Sequence, residues 1–371
     1  GMFGLIAPEG AVQNVKLVEP SVQEGGSNVE DVGSLAGQNH GLIQSVSVSI
    51  AQDGVLGRGT TGDQTGGLVG INGVGGTVAE SQVTIDTPVG VRMSFTSGRL
   101  GGLAGQNEGV IQKAAVLGNG GITGEAGSGD NEEIGGLVGY LTTGSIRGSY
   151  STVTVVSGST SDGAGGLVGD EFSSNGIRRS YASGEVIASG GPVGGLVGGG
   201  SGSTVDLASH ESYWDVRRTG QDTGVGGGNG NEVGLVTKQM VGPDDQNFMS
   251  NLDFTDTWTS VDGAYPILDY QNSAEAVQPT LPVVNITSPA DGADTAAFND
   301  ISIGGSIASD TLARLGDSVS VLVNGETQGV GVVQADSSWS VANVPLDTGV
   351  NTIEARYFQG DTTVPYADTD Q

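Results

Sequence analysis

The chain has 371 residues, 68 of them glycine and none cysteine, and its 13 basic against 42 acidic side chains give a net charge of −29. Disulfides and thiolate chemistry are therefore excluded, and a charge of that sign opposes nucleic acid and anionic membrane surfaces. An apolar content of 36% is too high for a disordered chain, and the glycines follow no Gly-X-Y period, which removes collagen.

The opening Gly1-Met2-Phe3-Gly4 carries no basic, apolar leader. No apolar run approaches the roughly 18–20 residues that a membrane-spanning helix needs, so no membrane insertion is expected in this segment. The expectation is a piece of a longer exported chain, a monomer within it, located outside the cell or on its surface.

From residue 33 onward one five-residue phrase recurs. It reads GSLAG at 33–37, GGLVG at 66–70, GGLAG at 101–105, and GGLVG again at 135–139, 165–169 and 194–198. The intervals are 33, 35, 34, 30 and 29 residues, and Gly1–Gly4 fits as the end of a seventh copy. Periods of about 20–50 residues mark solenoids, propellers or arrays. A second phrase follows each first one: Gly-x-Ile-x-x-Ser-Tyr, clearest at 144–150 (GSIRGSY), echoed at 176–181, and weaker at 41–47 and 109–115. A Val/Thr-rich run comes third, as at 152–156.

Each repeat thus holds about three short β-prone runs and no helical period. Such runs lack hairpin turns but can pair with their counterparts in the next repeat, about 4.8 Å away, as parallel strands. The predicted fold is all-β: a parallel β-helix (β-solenoid) of about seven coils, with glycines supplying left-handed corners. Leu35, Leu68, Leu103, Leu137, Leu167 and Leu196 would form one interior column, and Ile43, Ile111, Ile146 and Ile177 another. Propeller blades of about 40–50 residues are longer than these repeats.

The alternation of GGLVG with Gly-x-Ile-x-x-Ser-Tyr resembles the GLUG repeat of large bacterial surface proteins, including adhesins and IgA-peptidase-associated regions. The resemblance covers roughly residues 1–270. It implies an array that closes with a Tyr-Trp-Asp phrase, here at 213–215, and a Trp-containing capping segment, here at 253–268, giving a cap over about 213–270. The last coil departs from the pattern, since 205–211 (VDLASHE) has no Ile-x-x-Ser.

A polar stretch at 271–282 (QNSAEAVQPTLP) reads as a linker. Beyond it, over 283–371, six strand-like runs recur at about ten-residue spacing, with an Asn324-Gly325 hairpin signal between two of them. A β-sandwich is expected, and its TSPADG and VNG phrases resemble bacterial immunoglobulin-like domains. It holds 12 acidic and 2 basic residues.

Catalytic signatures are missing. His40 and His210 stand in no His-Glu-x-x-His, which excludes a zinc peptidase of that class, and the Gly-rich stretch at 118–124 lacks a following Lys-Ser/Thr and reads as a loop. No cofactor is expected. Calcium is the one metal that the acidic turns at 129–133 and 242–245 suggest, and neither fits a known loop spacing.

One pattern suggests a ligand face. Gln44, Gln112, Arg147 and Arg178 each follow the repeated Ile, and alternation points the residue after an inward Ile outward. This ladder could bind sugar hydroxyls or acidic glycans. Tyr150 and Tyr181 also align and are read as capping the core at a corner. The functional expectation is a non-catalytic, exported cell-surface segment for adhesion or as a stalk. Its partner would be a glycan or protein of a host or neighbouring cell. A carbohydrate-active β-helix enzyme is the alternative, and an ice-binding solenoid is disfavoured because Thr152-Val153-Thr154 has no aligned copies.

Overall fold

The computed structural model describes residues 1–23, 31–51, 54–57, 63–94, 98–125, 132–158, 163–172, 176–200, 211–227, 233–292, 300–308, 317–358 and 366–368. His210, residues 205–210 of the divergent phrase, and 129–131 of one acidic turn lie outside them. The chain divides into two compact units, Gly1–Gln278 and Pro279–Gln371.

The first unit is a parallel β-solenoid with four faces, one more than the three runs expected per repeat. The first face begins in the GGLVG phrase and holds seven strands, from Phe3–Ile6 through Val69–Asn72 to Val197–Gly199. The second carries the Ile-x-x-Ser-Tyr phrase, as in Ser145–Arg147 with Tyr150–Ser151. The third is the Val/Thr run, as in Thr154–Ser157. The fourth, overlooked because its runs are so short, ends on the first glycine of each phrase, as in Glu132–Gly135. Among the described residues the third and fourth faces hold six strands each. The expected seven coils therefore do not close. After Val197–Gly199 the chain returns to the second face as Tyr213–Asp215, touches the third face at Thr219 and the first through a single bridge at Val225, and pairs once more on the second face as Val233–Leu235 before the cap.

Register is strict. The six leucines of the phrase are wholly buried, and each of the first five donates its N–H to the next one's carbonyl, at 2.8–3.0 Å. The isoleucines stack likewise, with Val12 and Val78 completing their column. Asn39, Asn72 and Asn107 form a buried amide chain, each Nδ2 donating to the next Oδ1 at 2.8 Å. That chain satisfies polar groups at a corner water cannot reach.

The glycines act differently from the expectation. Those of the phrase are not left-handed; they allow backbones to touch. A Cβ on Gly135 would stand 2.0 Å from the Val138 carbonyl oxygen and 2.5 Å from Gly169 N. The left-handed corner falls instead just after the ladder, at Asn14, Ser45, Glu80, Lys113, Gly148 and Arg179, with φ between 47° and 56°. Only one of the six is glycine. The residue after the corner has an N–H that the bend would orphan. The motif's serine accepts it: Val46 N to Ser81 Oγ, Ala114 N to Ser149 Oγ and Ser149 N to Ser180 Oγ, each 3.1 Å. That is the physical reason for Ser in Ile-x-x-Ser. The stretch read as a Gly-rich loop at 118–124 enters a third-face strand, Gly121–Glu125.

In the second unit a three-stranded sheet (Val283–Ser288, Asp300–Ala308, Ser338–Pro345) and a four-stranded sheet (Glu326–Val332, Ser318–Val323, Ile353–Phe358, Tyr366–Asp368) are both antiparallel. They share a core containing Ile303, Val319, Val321, Trp339 and Tyr357. Asn324 and Gly325 have φ of 53° and 87°, as a type I′ hairpin requires.

Candidate functional site

The cap explains where a site can form. Its apolar residues, Met240, Met249, Leu252, Trp258, Tyr265 and Leu268, bury a second cluster with Ala115, Tyr150, Tyr181 and Tyr213. Tyr150 and Tyr181 stack at 4.9 Å with 10° between their planes, and Trp258 leans on both at 5.8 and 5.4 Å. These tyrosines do not cap the solenoid core. They stand on the outer side of the second face, and the cap lies along that flank, covering them. Tyr181 donates to the Pro266 carbonyl at 2.7 Å and Tyr150 to Gln271 Oε1 at 2.9 Å. Burial pushes both phenols up, so they remain donors. The first eight residues of the expected linker, through Gln278, thus belong to the first unit. Gln271 also donates to Gln82 at 2.9 Å.

Asp215, the last residue of the Tyr-Trp-Asp phrase, fixes the start of the cap. Its Oδ1 accepts from Arg217 N, Arg218 N and Thr237 Oγ1, and its Oδ2 from Tyr265. Burial pushes this carboxyl up, and the four donors oppose the shift.

The ladder is real in register: Gln44 pairs with Ala79, Ala79 with Gln112, Gln112 with Arg147 and Arg147 with Arg178. Ile43, Ile111, Ile146 and Ile177 are wholly buried, and Gln112, Arg147 and Arg178 are exposed beside them. The structure nevertheless divides the four. Gln112, Arg147 and Arg178 line one cleft of about 350 Å³ against Asp253, Thr257 and Trp258 of the cap. Gln44 lies beyond Ala79, where it accepts from Gln13 at 2.8 Å and donates to Glu80 at 3.1 Å.

Two cations in this cleft were not predicted. Lys113 and Arg179 follow the ladder, where simple alternation would turn them inward. The left-handed corner turns them out instead. Lys113 pairs with Asp269 and Arg179 with Glu211, both at 3.0 Å. Arg147 and Arg178 have no ion-pair partner among the described residues. Four of the chain's 13 cations thus gather in one cleft of a molecule carrying −29.

The other candidates give less. His40 is a half-exposed corner residue 3.2 Å from the Val74 carbonyl. Of the 242–245 turn, Asp245 opens a short helix, Asp245–Phe248, and accepts from Ser260. Among the described residues no three His, Cys, Asp or Glu side chains are grouped to hold a metal ion. None of the described helices is long and apolar enough to cross a membrane.

Comparison with known proteins agrees with this repeat. The family described as the GLUG motif matches residues 130–156, from the fourth face of one turn to the third face of the next. The chain is 31% identical over 245 residues to halomucin of Haloquadratum walsbyi, a match covering 58% of this chain and 2% of that protein. It is 40% identical over 84 residues to a protein of Evansella cellulosilytica whose name describes a Gly-rich membrane protein, covering 22% of this chain and 10% of the relative. The chain thus spans a small fraction of either relative's length. No solved structure matches it significantly. The fold is an all-β solenoid, and one of its repeats matches the GLUG motif.

Proposed function

We propose that this chain is a non-catalytic segment of an exported cell-surface protein, acting in adhesion or as a structural stalk. Strict one-turn register along the solenoid carries this reading, because it makes an elongating scaffold from a repeat that can only stack on itself. The GLUG motif and the similarity to halomucin and to a protein named for a membrane support a surface or membrane-associated setting. The second unit is read as an immunoglobulin-like module strung after the solenoid, its two antiparallel sheets suiting that architecture. The partner would be a glycan or protein on another surface, held weakly and multiply through repeated modules. Protease shaving of intact native cells, followed by detection of this segment in the released fraction, tests the location. Recovery only from the cell interior would end the reading. Hydrolysis or cleavage of polysaccharide by the purified chain would end its non-catalytic part.

A further inference from the structure

We infer that the cleft between the arginine ladder and the cap binds a carboxylated polysaccharide, with Arg147 and Arg178 each engaging a carboxylate of neighbouring sugar units. This deepens the surface reading above and rests on it. Arg147 and Arg178 are directly paired in register, hence about 4.8 Å apart at the backbone. Like charges abreast on a sheet face destabilise it. Their neighbours Lys113 and Arg179 are each neutralised by a carboxylate, but these two have no carboxylate partner among the described residues. Asp253, the acid of the cap that lines the cleft, turns Oδ1 to its own backbone, accepting from Thr255 N and Asp256 N. The pair is thus left for an external anion.

The ligand class follows from geometry. Guanidinium groups hold carboxylates through two parallel hydrogen bonds. In an extended polyuronate successive sugars advance by roughly one strand spacing, so such a chain laid along the solenoid axis presents one unit per turn. Gln112, one turn from Arg147, supplies an amide for hydroxyls at the next unit. Trp258 forms part of the opposite wall, and its buried indole N–H has no acceptor among the described residues. The rest of the molecule repels anions, but salt screens that field beyond about 8–10 Å while leaving short contacts.

The test is calorimetric titration of the whole chain with a uronic acid hexamer, with Trp258 fluorescence as a second readout. A neutral hexamer of the same linkage, a sulfated hexamer and a single uronic acid serve as comparators. The Arg147→Gln, Arg178→Gln double variant should weaken hexamer binding at least tenfold, and circular dichroism will show it folded because both side chains are exposed. Arg92→Gln, outside this cleft, should change binding less than twofold. The single sugar should bind at least tenfold more weakly than the hexamer. Equal binding of the neutral hexamer, preference for the sulfated one, or an unchanged affinity in the double variant would each overturn the proposal. None of those results bears on surface location, which the shaving experiment decides separately.

Discussion

The Tyr265 hydroxyl donates to Asp215 Oδ2 at 2.6 Å, joining the last Tyr-Trp-Asp strand to a cap residue fifty positions later. Tyr265→Phe removes a hydrogen bond to a buried acid and should cost about 1.5–3 kcal/mol. Asp215→Ala should cost more, because it also orphans two backbone N–H groups and the Thr237 hydroxyl. Denaturant unfolding of both variants, followed by near-ultraviolet circular dichroism, gives the comparison. The reverse ranking would show that the cap is not anchored through Asp215.

The two halves of the phrase should fail for opposite reasons. Leu137→Ala empties a wholly buried site and should cost about 2–5 kcal/mol. Gly135→Ala adds a methyl group 2.0 Å from a backbone oxygen, where neither side can yield as a side chain would. It should destabilise by at least the 1–3 kcal/mol typical of overpacking, about as much as the cavity. Thermal unfolding with calorimetry measures both. A neutral Gly135→Ala would mean that the two faces do not pinch as described.

Stability should also carry a pH slope from the cap. Burial pushes the Asp245 carboxyl up to about 6, partly offset by the Ser260 hydroxyl. In the unfolded chain an aspartate titrates near about 4. The native state therefore holds the extra proton between these values, and this contribution, present below pH of about 4, is lost as pH rises through about 6. Asp245→Asn should flatten that part of the curve, gaining on the wild type as pH increases. Urea midpoints measured across the interval decide it, and parallel curves would remove Asp245 as the source.

Deleting residues 250–270 should uncover Tyr150, Tyr181 and Tyr213, which are at most 1% exposed. The expected product binds a hydrophobic dye and self-associates in analytical ultracentrifugation. A monomeric, dye-negative product would show that the cap is dispensable to the face it covers.

Much of this architecture was legible because a solenoid writes its period directly into the chain. The Leu and Ile columns needed only spacing. The fourth face was not legible, since two- to four-residue strands such as Ala164–Gly165 carry no pattern of their own. The role of the glycines was misread because composition cannot separate a left-handed corner from a backbone-to-backbone contact. Three of the four ladder residues meet in the cleft, but Lys113 and Arg179 were hidden by a bend that alternation does not foresee. The opposite wall was hidden altogether. Trp258 comes 80 residues after Arg178, and nothing local announces that it returns to the same flank.

That flank gives the molecule an uneven response to tension. The cap is tied to several turns at once, through Gln82, Lys113, Tyr150, Tyr181 and Tyr213. Pulled along its axis, a stack of parallel turns opens like a zipper, one row of ladder bonds at a time. Among the described residues the turns before Gln82 have no such tie to the cap, and resist through those rows, the amide chain and side-chain links such as Gln13 to Gln44 and Val46 to Ser81. Those behind the strap must shed it first, so extension would begin at the amino-terminal end and halt at the strap, as in a coil spring with its lower loops clamped.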